Sequence, residues 1–186
     1  IAPYDMDQDG DLDIFIGNRS KIGVYGITPN SVFLENDGEG RFKDATGLKA
    51  YDASEIGMIT DAKWVEMTGD DKKDLVLVGE WMHPVIFENR GLYLEEIKSN
   101  LDQLSGWWNT LIPGDFNQDG LPDLILGNTG TNSVYQGTTE SPARMFINDF
   151  DQNGTLDQIL TRQIDGKDRP VHVRNELAHQ ISKIKK

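Results

Sequence analysis

Between Asp5 and Asp13 the chain reads "DMDQDGDLD", with aspartates at alternate positions around one glycine. Carboxylates held so close repel one another when ionised, and the chemistry that relieves this is a cation. Hard divalent cations such as calcium take about six to eight oxygens, which alternate side chains of a tight loop can supply. In the pattern D-x-[DN]-x-[DN]-G-x-x-D, positions 1, 3 and 5 offer Asp5, Asp7 and Asp9. Position 7 offers the carbonyl of Asp11, and position 9 the carboxylate of Asp13. The glycine at position 6, Gly10, allows the positive φ that turns the chain around the ion.

The pattern recurs. Asp115, Asn117, Asp119, the carbonyl of Leu121 and Asp123 form one copy, and Asp149, Asp151, Asn153, the carbonyl of Thr155 and Asp157 another. A worn copy lies between the loops at 5–13 and 115–123, with Glu66, Thr68, Asp70 and Asp74 at the oxygen positions. There Asp71 replaces the glycine and Lys72 and Lys73 add positive charge, which argues against a tight site. The copies begin at Asp5, Glu66, Asp115 and Asp149, so their intervals are 61, 49 and 34 residues. An irregular pitch implies connecting loops of variable length.

An EF-hand opens the same way but needs a Glu at position 12 and flanking helices. Position 12 is Ile16, Leu126 or Leu160, each inside a short apolar run that reads as a strand. The competing structural reading is a metal-free hairpin tightened by Asx turns; three copies with the same oxygen positions and the same glycine weigh against it.

The chain has 186 residues, 37% of them hydrophobic, and a formal charge of -13, so it can bury a core. Eleven of the aspartates sit in the three good loops, leaving the remainder close to neutral. Such acidity argues against a nucleic-acid partner, which needs Lys and Arg to neutralise phosphates. Without cysteine there is neither a disulfide nor a thiolate metal site. No apolar run is long enough to span a membrane, and the opening "IAPYD" reads as the start of a fragment or processed product. The three histidines show no metal-site spacing, and neither a nucleophile elbow nor a phosphate loop occurs, so catalysis is not expected.

Two stretches carry hairpin signals, "SVFLENDGEGRFKDAT" around residues 37–40 and "PVIFENRGLYLEEI" around residues 89–91. The predicted unit is an acidic loop, a strand, a second strand, a tight hairpin and a third strand. Several such units predict an all-β fold of radially repeated sheets, a β-propeller. About three to four blades would fit, either as an excised part of a larger propeller or as a homo-oligomer that closes it. Trp81, Trp107 and Trp108 are expected in the core, although aromatics side by side on an exposed face would favour a sugar ligand. Residues 1–175 form the expected repeat segment, and residues 176–186 a terminal helix or a linker to a missing domain, from the spacing of Leu177, Ile181 and Ile184.

The acidic loop ahead of an apolar strand ending in Gly, with "SVFLENDGEGRF" after it, resembles the FG-GAP/VCBS repeat of integrin alpha-type β-propellers. "AKWVEMTGDDKKDLVLVGEW", "GWWNTLIPGDFNQDGLPDLILGN" and "MFINDFDQNGTLDQIL" are similar to bacterial VCBS-repeat proteins associated with ASPIC/UnbV domains. The resemblance implies calcium as the ion, with side-chain ligands Asp5, Asp7, Asp9 and Asp13, and likewise Asp115, Asn117, Asp119 and Asp123, and Asp149, Asp151, Asn153 and Asp157. It is the basis for expecting a calcium-stabilised, non-catalytic binding, adhesion or scaffold module that meets a protein or glycan ligand at a cell surface. The expected location is extracytoplasmic, whether secreted, periplasmic or at the outer surface. The alternative expectation is part of a polysaccharide-binding or polysaccharide-degrading enzyme.

Overall fold

A computed structural model describes residues 1–185 and is built mainly of antiparallel β-structure. Lys186, the last residue of the expected terminal helix, lies outside the described residues. The chain divides into two compact units, one of residues 1–21 and 27–128, the other of residues 22–26 and 129–186.

In the first unit, β1 (Ala2–Tyr4), β2 (Asp13–Ile16), β3 (Val32–Asn36) and β4 (Phe42–Asp44) form an up-and-down sheet in that order. Two single-turn helices follow, α1 (Thr46–Lys49) and α2 (Tyr51–Ser54). The second sheet contains β5 (Met58–Val65), β6 (Asp74–Met82), β7 (Val85–Asn89) and β8 (Leu94–Ile97), again paired in sequence order. It continues through Glu80 and Met82 of β6, which pair with Trp107 and Gly106 of β9 (Gly106–Gly114). β9 pairs in turn with β10 (Asp123–Asn128).

Both predicted hairpins are present, as β3–β4 and β7–β8. The repeating unit differs from the predicted one by a strand. Each acidic loop of this unit is itself a hairpin connection, entered from β1, β5 or β9 and left by β2, β6 or β10. The entering strands escaped the sequence reading because "APY" is short and "MITDAKWV" mixes charge with apolar residues.

Strand β6 shows why its sequence is one apolar run. Leu75 and Leu77 join Phe15, Phe33 and Phe87 in one buried cluster shared by the two sheets. Val76 and Val78 join Ile86 and Leu111 in another, against which Trp108, Leu124 and Leu126 pack. A strand buried on both faces cannot alternate in polarity. By contrast, β2 alternates between fully and partly buried residues, as expected where only one face is covered. Burying each of the fully covered phenylalanines contributes about 1.5–3 kcal/mol.

The second unit holds a three-stranded sheet of β11 (Arg144–Asn148), β12 (Asp157–Ile164) and β13 (Lys167–Pro170). Asp165 and Gly166 link β12 to β13 with φ of 51° and 71°, the signature of a two-residue hairpin turn. Helix α3 (Arg174–Gln180) and a 3-10 turn (Ser182–Lys185) end this unit, with Leu177, Ala178 and Ile181 buried. No helix among the described residues is long and apolar enough to cross a membrane.

Candidate metal centres

All four acidic loops share one backbone. The residue at position 4 has positive φ in each: Gln8 at 61°, Gly69 at 81°, Gln118 at 65° and Gln152 at 60°. Position 6 does too, through Gly10, Gly120 and Gly154, and through Asp71 at 66° in the worn copy. Loop 66–74 therefore keeps the turn without its glycine, by placing a non-glycine residue in the strained region.

The position-9 carboxylate closes every loop. Asp13, Asp74, Asp123 and Asp157 accept from the amides of Met6, Met67, Phe116 and Phe150 at 3.3, 2.9, 3.0 and 3.1 Å. In the first two sheets the other oxygen also accepts an amide, from Asn36 to Asp13 at 3.0 Å and from Asn89 to Asp74 at 2.9 Å. These bonds tie the loop to the far hairpin, and Asn89, wholly buried, also donates to the Met6 carbonyl at 3.0 Å. Burial pushes the Asp13 carboxyl above its ordinary range, against the pull of the Asn36 and Met6 amides.

The first aspartate of each good loop receives two amides. Asp5 accepts from Asp9 and Gly10, Asp115 from Asp119 and Gly120, and Asp149 from Asn153 and Gly154, all at 2.9–3.1 Å. Position 5 accepts from the position-7 amide in all four loops, in Asx-turn fashion. In loop 66–74 the pattern shifts: Glu66 takes the amides of Thr68 and Gly69.

Among the described residues, two sets of three carboxylates converge to within 4.8 Å: Asp5, Asp7 and Asp9, and Asp149, Asp151 and Asp157. Asp115, Asp119 and Asp123 do not form such a set, and the Asn117 side-chain amide donates to Asp119 at 3.0 Å. The Leu121 and Thr155 side chains are exposed. Asp11 differs: its carboxylate faces the β3–β4 hairpin, where a Cβ added to Gly38 would lie 3.3 Å from Oδ2. Its Oδ1 is shielded without a hydrogen-bond donor among the described residues. Burial first, then Asp9, Asp7, Asp5 and Asp37, raise its pKa.

The two converged sets have different neighbours. Lys49 at the end of α1 places Nζ 2.6 Å from Asp7 Oδ2 and 2.7 Å from Glu35 Oε1, with only 12% of its side chain exposed. Burial opposes its charge, yet the bonds from Asp7 and Glu35 prevail and raise its pKa. At the other set, Asp151 is 6% exposed and its Oδ2 accepts from Ser182 N at 2.8 Å and Ser182 Oγ at 2.7 Å. The Ser182 hydroxyl, then its amide, lower the Asp151 pKa. Asp151 Oδ1 has no hydrogen-bond donor among the described residues, and the Asn153 amide donates to Asp149 Oδ1. A buried, ionised oxygen without a partner is costly and fits a cation beside it. In loop 66–74 the Lys72 ammonium sits on Asp70 and reaches the Asn89 carbonyl at 3.4 Å.

Neither Lys49 nor Ser182 was singled out from the sequence, because each lies far along the chain from its loop and outside the repeated motif. The tryptophans divide. Trp108 packs on the second buried cluster and donates to the Leu104 carbonyl at 3.0 Å. Trp107, its neighbour on β9, stacks instead on Trp81 at 5.8 Å between ring centroids. They do not form the side-by-side exposed pair that would favour a sugar ligand. Trp81 itself has a φ of 61°, at the register shift between Glu80 and Met82.

Residues 66–126 match the family described as an FG-GAP-like repeat. The matched stretch runs from the first residue of the worn loop, through β6 to β9 and loop 115–123, into β10. Neither a curated protein nor a solved structure matches the chain.

Proposed function

Because the chain carries an FG-GAP-like repeat over residues 66–126, we propose that it is a calcium-stabilised, non-catalytic binding or scaffold module working outside the cytoplasm. Its sheets act as β-propeller blades, and its partner is a protein or a glycan at a cell surface. Kinship with the VCBS-repeat proteins associated with ASPIC/UnbV domains belongs to the same reading. The observation that carries it is loop 149–157. Three carboxylates converge there, and one buried oxygen, Asp151 Oδ1, has no donor among the described residues. In loop 5–13 the residues that would hold the ion are Asp5, Asp7 and Asp9 with the Asp11 carbonyl. In loop 149–157 they are Asp149, Asp151, Asn153 and Asp157 with the Thr155 carbonyl.

Bound calcium would supply fixed positive charge, neutralising the converged carboxylates and bracing the hairpins. Extracellular calcium modules bind at roughly 10⁻⁴–10⁻³ M, a range only a calcium-rich compartment fills. The test is thermal unfolding in millimolar calcium and in chelator. A higher midpoint in calcium, absent with magnesium at the same ionic strength, is the expected result. Superimposable curves in calcium and chelator would sink the reading.

A further inference from the structure

The position-3 side chain meets different company in each loop. Asp7 faces the Lys49 ammonium, and Thr68 bonds to Asp70 within its own loop. Asn117 also bonds within its loop, to Asp119. Asp151 alone among them is held by a neutral residue from outside its hairpin, Ser182, through both its hydroxyl and its amide. Those two bonds occupy Oδ2 and fix the plane of a carboxylate that converges with those of Asp149 and Asp157, leaving Oδ1 buried and without a donor among the described residues. One oxygen is committed to the C-terminal segment and the other is open to the proposed ion.

We propose that Ser182 positions Asp151 for the cation of loop 149–157, and that cation occupancy and docking of the C-terminal segment, residues 174–185, are coupled. This rests on the calcium reading given above. An outer partner that orients a metal-binding carboxylate commonly governs metal affinity by one to two orders of magnitude. The coupling is reciprocal by thermodynamic necessity: whatever the docked segment adds to calcium affinity, calcium adds to docking. The segment is suited to respond. Helix α3 has seven residues, too few to be stable alone, so its order depends on the burial of Leu177, Ala178 and Ile181 and on the Ser182 bonds. Without the ion, repulsion among Asp149, Asp151 and Asp157 works against the orientation that Ser182 requires. With the ion, the same three charges hold it.

The experiment is amide hydrogen exchange on the full chain, following peptides from residues 149–157 and 174–185 across a calcium titration. Both regions should gain protection with the same calcium midpoint. Ser182→Ala should shift that midpoint about tenfold higher, and Ser182→Thr, which keeps the hydroxyl, should leave it within about twofold. Asp151→Asn should abolish the calcium response of residues 174–185. If calcium protects the loop while residues 174–185 exchange identically with and without it, the coupling is overturned and the calcium reading stands. Equal midpoints for wild type and Ser182→Ala also overturn it. If neither region responds to calcium, both readings fall.

Discussion

Loops 5–13 and 149–157 share a motif, a backbone and a converged set of three carboxylates, yet they sit in different electrostatic settings. The first borrows a cation from its own chain, since Lys49 seats its ammonium between Asp7 and Glu35. The second is held by the neutral hydroxyl and amide of Ser182, with the Lys183 charge a lesser influence on Asp151. At an effective dielectric near 20, opposite unit charges about 4 Å apart interact by roughly 4 kcal/mol. An internal ammonium therefore removes much of the demand for an external ion. Ligand spacing defines where a cation can sit, and the surroundings decide how badly it is needed.

The largest effect should come from what the loops share and should separate scaffold from site. Asp13→Ala strips two backbone amides, of Met6 and Asn36, of a buried charged acceptor. It should cost about 3–5 kcal/mol, as two hydrogen bonds to a charged group, and equally in calcium and in chelator. Asp157→Ala should cost more in calcium than in chelator, because Asp157 also belongs to its converged set. Chemical denaturation followed by tryptophan fluorescence reads the first. All four tryptophans lie in the unit that contains loop 5–13, so hydrogen exchange at residues 149–157 reads the second. An Asp13→Ala penalty that appears only in calcium would show that Asp13 is chiefly a ligand.

Calcium removal from the unmodified chain comes next. At a concentration one hundred times Kd, a bound ion adds about 2.7 kcal/mol to the state that holds it. Protection lost on adding chelator should be greater in residues 149–157 than in residues 5–13. The reverse order would contradict the role given to Lys49. Lys49→Met should then bring the loops together, tightening calcium binding at residues 5–13 about tenfold. Glu35→Gln should act in the opposite direction, since it leaves the ammonium to Asp7 alone. Titration calorimetry on the two variants checks both signs.

The shared part of this design was legible in the sequence. Alternating oxygens, Gly10, Gly120 and Gly154, and the two hairpins follow from local rules of turn and strand, and the structure carries them out. The entering strands were harder, because "APY" and "MITDAKWV" lack a clean alternation. Asp165-Gly166 was a missed signal, a two-residue hairpin turn in plain sight. What distinguishes one loop from another could not be read locally. Lys49 and Ser182 reach their carboxylates across 42 and 31 residues of chain, through packing that no motif encodes. The Asp11 carboxylate is similar: by spacing it is an exchangeable side chain, but folding turns it against the β3–β4 hairpin.

Loop 66–74 extends the comparison to its far end. Its glycine has moved from position 6 to position 4, its first carboxylate is a glutamate that takes different amides, and Lys72 lies on Asp70 from within the loop. The hairpin closes all the same, because Asp74 keeps both its amides and is wholly buried. If closure rests on Asp74 and the local cation merely replaces the ion, removing that cation should matter little. Lys72 and Asp70 are each about one-third exposed, and exposed pairs are worth about 0.2–1 kcal/mol. Lys72→Met should therefore cost about 0.5 kcal/mol in chelator, and calcium should restore little of it, since Asp70 alone does not make a converged set. A loss above about 2 kcal/mol would mean that the ammonium, and not Asp74, holds this loop. The three settings would then be three ways of supplying the same indispensable charge.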